Sequence, residues 1–110
     1  MSKASQFKRF TLTIGLEEGA VPGGTKGRAI PREVVQNEIE WALSENGIDG
    51  ATIRDCTGVW KGDTEPSVEV LILGQASWKE TIFRMTQNLR MSLKQEAIMI
   101  QVETVETAFI

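Results

Sequence analysis

The segment whose residue types are best suited to bind a ligand is rich in glycine and lies directly before a helical pattern. Residues 17–30 read EEGAVPGGTKGRAI. Glycine lets backbone amides approach a ligand closely, and the start of a helix favours negative charge. The sequence therefore predicts an anion site at this loop, formed by Gly23, Gly24, Lys26, Arg28 and Arg32.

The cations of this loop would bind a phosphate or carboxylate in two ways. A lysine acts as a point charge, whereas an arginine offers a planar fork of donors. The spacing matches neither G-x-x-x-x-G-K-[ST] nor G-x-G-x-x-G. Further along the chain, Arg54 is expected to add a charge contact and Trp60 to cover a ring. The alternative is a flexible loop that becomes ordered only in an oligomer.

Few other residues could perform chemistry. The chain has no histidine, which removes the commonest general base and metal ligand, and only one cysteine. Arg54 lies two residues from Cys56 and is expected to lower the pKa of its thiol, yet no base is at hand. We therefore predict a buried Cys56, no catalytic residue, no metal and no cofactor.

Length and charge exclude several classes of protein. The 110 residues predict a single domain, 1–110, with a flexible N-terminus at residues 1–6 and the glycine-rich loop at 17–30. The net charge of −3 argues against binding a nucleic acid polymer. We find neither an apolar signal segment nor a run that could span a membrane, so a cytoplasmic location is expected.

Four stretches alternate apolar and polar residues, as strands with one buried face do. These stretches are residues 10–16, 51–61, 68–73 and 98–102. Two others carry apolar residues at helical spacing, one after Pro31 and one after a Ser-x-x-Glu capping box that begins at Ser77. Gly47 is expected to end the first helix with a left-handed cap.

The order β-α-β-β-α-β predicts an α+β ferredoxin-like sandwich, in which a four-stranded antiparallel sheet carries two helices on one face. By alternation, the buried face of the sheet should consist of Phe10, Leu12, Ile14, Ile53, Val68, Val70, Ile72, Ile98, Ile100 and Val102.

The opposite face of this sheet mixes apolar and charged side chains. Its apolar members are Trp60, Leu71, Leu73 and Met99, and its charged members include Arg54, Glu69 and Glu103. Exposed apolar patches usually mark an interface, so the pattern favours a homo-oligomer. The alternative is that the chain's own tail, residues 105–110, covers this face.

Four short motifs resemble those of a known group of domains. They are Asp49-Gly50-Ala51-Thr52, Gly58-Val59-Trp60, Val70-Leu71-Ile72-Leu73 and Gln95-Glu96-Ala97-Ile98. Over residues 48–102 the sequence is similar to small uncharacterised ferredoxin-like domains of bacteria and phages. It departs from them in the first loop and at Ala97, where serine is more usual. The resemblance implies the fold and no activity. PII-like signalling proteins, which bind nucleotides between subunits, share only the general plan.

Three functional hypotheses follow. The leading one is a non-enzymatic homo-oligomer that holds a small anionic, nucleotide-like ligand near the glycine-rich loop and a subunit interface, as a phage protein sequestering a host signal would. A second is a protein-interaction module that inhibits a host protein. A third is a dimeric α+β-barrel enzyme that uses Glu69, Glu103 and Arg54 between two sheets.

Overall fold

The computed structural model describes residues 5–19, 27–60 and 62–110. Its strands are β1 (Ser5–Gly15), β2 (Thr52–Trp60), β3 (Asp63–Gly74) and β4 (Met99–Thr107). Its helices are α1 (Arg32–Glu45) and α2 (Lys79–Ser92), the latter preceded by a 3₁₀ turn at Ala76–Trp78. All pairings are antiparallel and the strand order is β2-β3-β1-β4. The predicted ferredoxin-like α+β fold is confirmed.

The core lies between the two helices and one face of the central strands. Phe10, Leu12 and Ile14 of β1 are fully buried, and each pairs with a buried residue of β3. The helices contribute the apolar residues of their inner stripes, namely Val35, Ile39, Ala42, Leu43, Ile82, Met85 and Leu89. The predicted core residues of the edge strands are less enclosed. Ile53, Ile98 and Ile100 are partly buried and Val102 is 39% exposed, because an edge strand has a neighbour on one side only.

The ends of the helices show which local signals hold. Gly47 has a φ of +69°, and the N–H of Ile48 donates to the carbonyl of Leu43 at 2.9 Å, so the predicted left-handed cap is confirmed. The predicted capping box is wrong, because Ser77 lies inside the 3₁₀ turn and α2 has no side-chain cap. Instead the Trp78 ring packs on Gly74, where a Cβ would lie 2.2 Å from ring atom Cε3.

Both ends of β1 differ from the sequence-based expectation. The pattern predicted a flexible end through residue 6, but Ser5 and Gln6 pair with Thr107 and Glu106 of β4. At the other end, the two sides of the predicted loop pair with each other through a Glu17–Ala29 bridge. The N–H of Ile30 donates to the carbonyl of Leu16 at 2.8 Å. The described part of the loop is therefore the base of a hairpin.

Candidate functional site

The candidate site is the face of the sheet opposite the helices, which we call the reverse face. Strand register aligns its side chains in rows across the sheet. One row contains Arg54, Glu69, Thr13 and Met99, and the next contains Thr52, Leu71, Thr11 and Gln101. The tail reaches only one end of this face, where Phe109 meets the edge of Phe7 at a centroid distance of 6.2 Å.

An ion pair lies in the first of these rows. Arg54 Nε donates to Glu69 Oε1 at 2.9 Å across the β2–β3 pair. The Glu69 side chain is 23% exposed, whereas that of Arg54 is 60% exposed. A second pair joins Arg9 and Glu103 at 3.0 Å, and both of its side chains are about half exposed. Glu69 is thus the most enclosed carboxylate of the described ion pairs.

A second carboxylate lies on the same face of β3. Glu65 extends across the strand pair to Gly15, where a Cβ would be 2.1 Å from its Oε1 atom. Ser67 lies between the two glutamates and is buried. Because alternate residues of a strand share a face, Glu65, Ser67 and Glu69 all lie on the reverse face.

Cys56 is only partly buried, so the prediction of a buried cysteine is wrong, and it lies beside the Arg54–Glu69 pair without being activated by it. Burial raises the pKa of the Cys56 thiol, and the Glu69 carboxylate raises it further, while Arg54 acts in the opposite direction. The expectation that Arg54 makes this thiol more acidic is therefore wrong. A thiol with a raised pKa is a poor nucleophile at neutral pH.

A buried glutamine fixes the base of the glycine-rich loop at this end of the sheet. Gln95 is 7% exposed, and its Oε1 accepts a hydrogen bond from the Gly15 N–H at 3.2 Å. Its Nε2 donates to the Glu17 carbonyl at 2.8 Å. The Gly19 N–H donates to the Lys94 carbonyl at 2.6 Å. These bonds tie the loop to the turn before β4, close to Gly15 and the Glu65 carboxylate.

The structure describes only part of the predicted anion site. Gly23, Gly24 and Lys26 lie outside the described residues, as does the side chain of Trp60. Arg28 is exposed at the base of the loop. Arg32 donates to Asp55 Oδ1 at 2.6 Å and to Gln36 Oε1 at 2.5 Å, on the helix side of the sheet.

Arg54, in contrast, lies on the reverse face beside Glu69. The sheet therefore divides Arg32 from Arg54, and the two guanidinium groups do not share a site.

Sequence reasoning missed two residues of this region. The alternation of β3 that placed Glu69 on the reverse face extends to Glu65 and could have found it. Gln95 begins one of the four motifs, but the sequence did not indicate its hydrogen bonds, because its partners Gly15 and Glu17 are 80 and 78 residues away.

Two kinds of site find no support in the described residues. Within 5–19, 27–60 and 62–110, no three His, Cys, Asp or Glu residues come close enough to hold a metal ion. Neither α1 nor α2, the two helices of the described chain, has the length and apolar character that crossing a membrane requires.

Comparison with known proteins shows the fold. No protein-family model and no curated protein matches the sequence. Among solved structures, a phage SAM lyase in its apo state is 19% identical with a TM-score of 0.66, covering 100% of this chain and 98% of that one.

Two further structures share the fold. The phage SAM lyase in complex with S-methyl-5′-thioadenosine is 19% identical with a TM-score of 0.64, covering 92% of this chain and 90% of its own. The other is CPII, a PII-like nitrogen regulatory protein from Thiomonas intermedia K12 bound to ADP, AMP and bicarbonate. It is 12% identical with a TM-score of 0.55, and the match covers 96% of this chain and 98% of CPII.

These likenesses correct one of the hypotheses. The sequence favoured a non-enzymatic protein, but the fold is shared over nearly the whole chain with phage SAM lyase, which is an enzyme. The non-enzymatic hypothesis is therefore not kept. The named ligands of the matched structures are small nucleosides, nucleotides and bicarbonate.

Proposed function

We propose that this protein is an enzyme that binds S-adenosylmethionine on the reverse face and releases S-methyl-5′-thioadenosine. The observation that carries the proposal is the partly enclosed Glu69 carboxylate held by Arg54 on the side of the sheet that the helices leave open. The likeness to phage SAM lyase over the full length suggests the substrate.

The charges of the pair match those of the substrate. S-Adenosylmethionine carries a positive sulfonium and, at its amino-acid end, an ammonium and a carboxylate. Glu69 and Glu65 would attract the cationic part, and the more exposed Arg54 would bind the carboxylate. The anionic group expected from the sequence is then the substrate's carboxylate rather than a phosphate.

The residue types present suit this reaction. When the C–S bond breaks, its electron pair leaves with sulfur, which departs as a neutral thioether and needs no proton. A chain without histidine, whose cysteine keeps its proton, can therefore support the step. The carbon that loses sulfur gains a new bond by one of two routes. Either the neighbouring carbon gives a proton to Glu69 and a double bond forms, or the substrate's own carboxylate closes onto it.

An open sheet face cannot enclose a substrate by itself. Ligand sites usually bury 70–90% of a small molecule, whereas Met99 on this face is 54% exposed. A second copy of the chain facing the reverse face would supply the missing wall. The proposed enzyme is therefore a homo-oligomer.

The test is to incubate the purified protein with S-adenosylmethionine and measure S-methyl-5′-thioadenosine by mass spectrometry, against a protein-free blank. We expect release well above the blank, and Glu69→Gln should lower it about 100-fold or more, as loss of a key charge contact does. The second product identifies the route, since an alkene requires Glu69 as base and a lactone does not.

The matched control is Asp55→Asn. Asp55 neighbours Arg54 on β2 but forms its ion pair with Arg32 on the helix side, so its loss should leave the rate within about twofold. Release no faster than in the blank, together with no calorimetric binding of S-methyl-5′-thioadenosine, would contradict the proposed function.

A further inference from the structure

The outer edge of β2 is open. In the strand order β2-β3-β1-β4, β2 is an edge strand, and no described strand pairs with its outer side. An edge strand presents alternating N–H and C=O groups that can pair with another extended chain. The helix side of this edge is opposite to the reverse face, on which Glu69 lies.

A groove of about 590 Å³ runs beside this edge, between α1 and the start of β2. Its floor is apolar and consists of Leu43, Ile48 and Ile53. Its helix wall extends from Gln36 to Ser44, which is about 12 Å at 1.5 Å per residue. About four residues of an extended strand cover the same length, so the groove matches a short added strand in size.

The rim of the groove is negatively charged. Glu40 and Asp49 line it, both are exposed, and neither forms an ion pair or hydrogen bond within the part of the chain that the structure describes. Next to Gln36, the Arg32–Asp55 pair bridges α1 and β2 and neutralises the third carboxylate nearby. The uncompensated charge along the groove is therefore that of Glu40 and Asp49.

The negative charge of the rim distinguishes two candidate occupants of the groove, strand β4 of a second copy and a basic segment of a partner protein. The other edge strand, β4, carries no basic residue and would bring Glu106 of a second copy, on its helix side, toward the acidic rim, where like charges repel. A segment with basic side chains is complementary to the rim instead. In a strand added beside β2, alternate side chains point to the helix side, where they meet both the apolar floor and the carboxylates.

We propose that the β2 edge and this groove form a docking site for an extended segment of a partner protein. On the side of this segment that faces the helices, basic and aliphatic residues alternate. The partner's backbone pairs with β2, its aliphatic side chain lies over Ile48 and Ile53, and its basic side chains meet Glu40 and Asp49. This proposal does not rest on the proposed enzymatic function, because the groove lies on the helix side of the sheet, whereas Glu69 lies on the reverse face.

The experiment measures fluorescence anisotropy with labelled eight-residue peptides. The test peptide has lysine and valine at alternating helix-side positions and threonine elsewhere. One comparison peptide replaces lysine with glutamate, and another carries N-methyl groups on the backbone nitrogens that would pair with β2. We expect the test peptide to bind at least about tenfold more tightly than either comparison peptide.

Paired charge reversals test the location. Glu40→Lys with Asp49→Lys should weaken binding of the test peptide at least about tenfold. The control is Glu80→Lys with Glu106→Lys, which makes the same change in net charge at exposed positions away from the groove and should leave binding unchanged. Equal binding of the N-methylated peptide would show charge attraction without strand pairing and overturn the proposal. Equal weakening by both double variants, or no binding by the test peptide, would overturn it as well.

Discussion

The two faces of the same sheet differ in what their side chains do. On β1, Leu12 points toward the helices and is fully buried, while Thr13 points to the reverse face and is only half-buried. The helix face is closed by apolar contacts from both helices, whereas the reverse face carries two ion pairs. The difference shows that fold stability is concentrated on one side, which leaves polar residues on the other side available for a ligand.

The largest expected effect is a loss of unfolding free energy, seen when variants at two neighbouring positions of β1 are compared. Leu12→Ala removes a fully buried side chain from the core and should lower the free energy of unfolding by about 2–5 kcal/mol. Thr13→Ala, at the neighbouring half-buried position on the reverse face, should lower it by less than about 1 kcal/mol. Urea unfolding at equal protein concentration measures both. An equal loss for the two variants would mean that the reverse face is packed as tightly as the core.

Gln95 provides the next largest effect, because it links the loop to the sheet. Gln95→Leu leaves the Gly15 N–H and the Glu17 carbonyl without this partner and should cost about 1–3 kcal/mol of unfolding free energy. Gln87→Leu, at an exposed position of α2, should cost less than about 0.5 kcal/mol. Denaturation curves that do not separate these variants would remove Gln95 as the anchor of the loop.

The Arg54–Glu69 pair should matter little for stability. Arg54 is more than half exposed, and ion pairs of this kind contribute less than about 1 kcal/mol. A double-mutant cycle with Arg54→Ala and Glu69→Ala, read by urea unfolding, measures the coupling. We expect a small coupling free energy between the two residues, together with a large loss of S-methyl-5′-thioadenosine release in each single variant. A coupling of several kcal/mol would instead make the pair a structural element.

The smallest effect concerns Cys56. Because burial raises the pKa of its thiol, the thiolate fraction at pH 7–8 is lower than in free cysteine, so alkylation by iodoacetamide should be slower. Arg54→Ala removes the one lowering influence and should shift the pH midpoint of alkylation upward. Cys56→Ser should leave thioadenosine release unchanged. A midpoint below that of free cysteine would contradict the described surroundings of Cys56.

Sequence patterns predicted the fold better than the site, for a physical reason. Alternation and helical spacing are local, so the strands, the helices and the Gly47 cap could be predicted from neighbours along the chain. The Ser77 capping box was also a local signal, but packing of Trp78 on Gly74 overrode it.

The site depends on contacts between distant segments. Arg32 was assigned to the anion loop, yet its partner Asp55 lies 23 residues away on strand β2. The pairing of Arg54 with Glu69 follows from the β2–β3 register, which alternation alone does not fix. Gln95 and its partner Glu17 at the loop base are 78 residues apart in the sequence.

Methyl NMR with added S-methyl-5′-thioadenosine tests the central claim most directly, because methyl groups on the same strands report on opposite faces. We expect shift changes at Thr13, Leu71 and Met99 on the reverse face, and none at Leu12 and Val70 on the helix face. Changes confined to the helix-face methyls, or no change at any of the five at saturating ligand, would contradict the account.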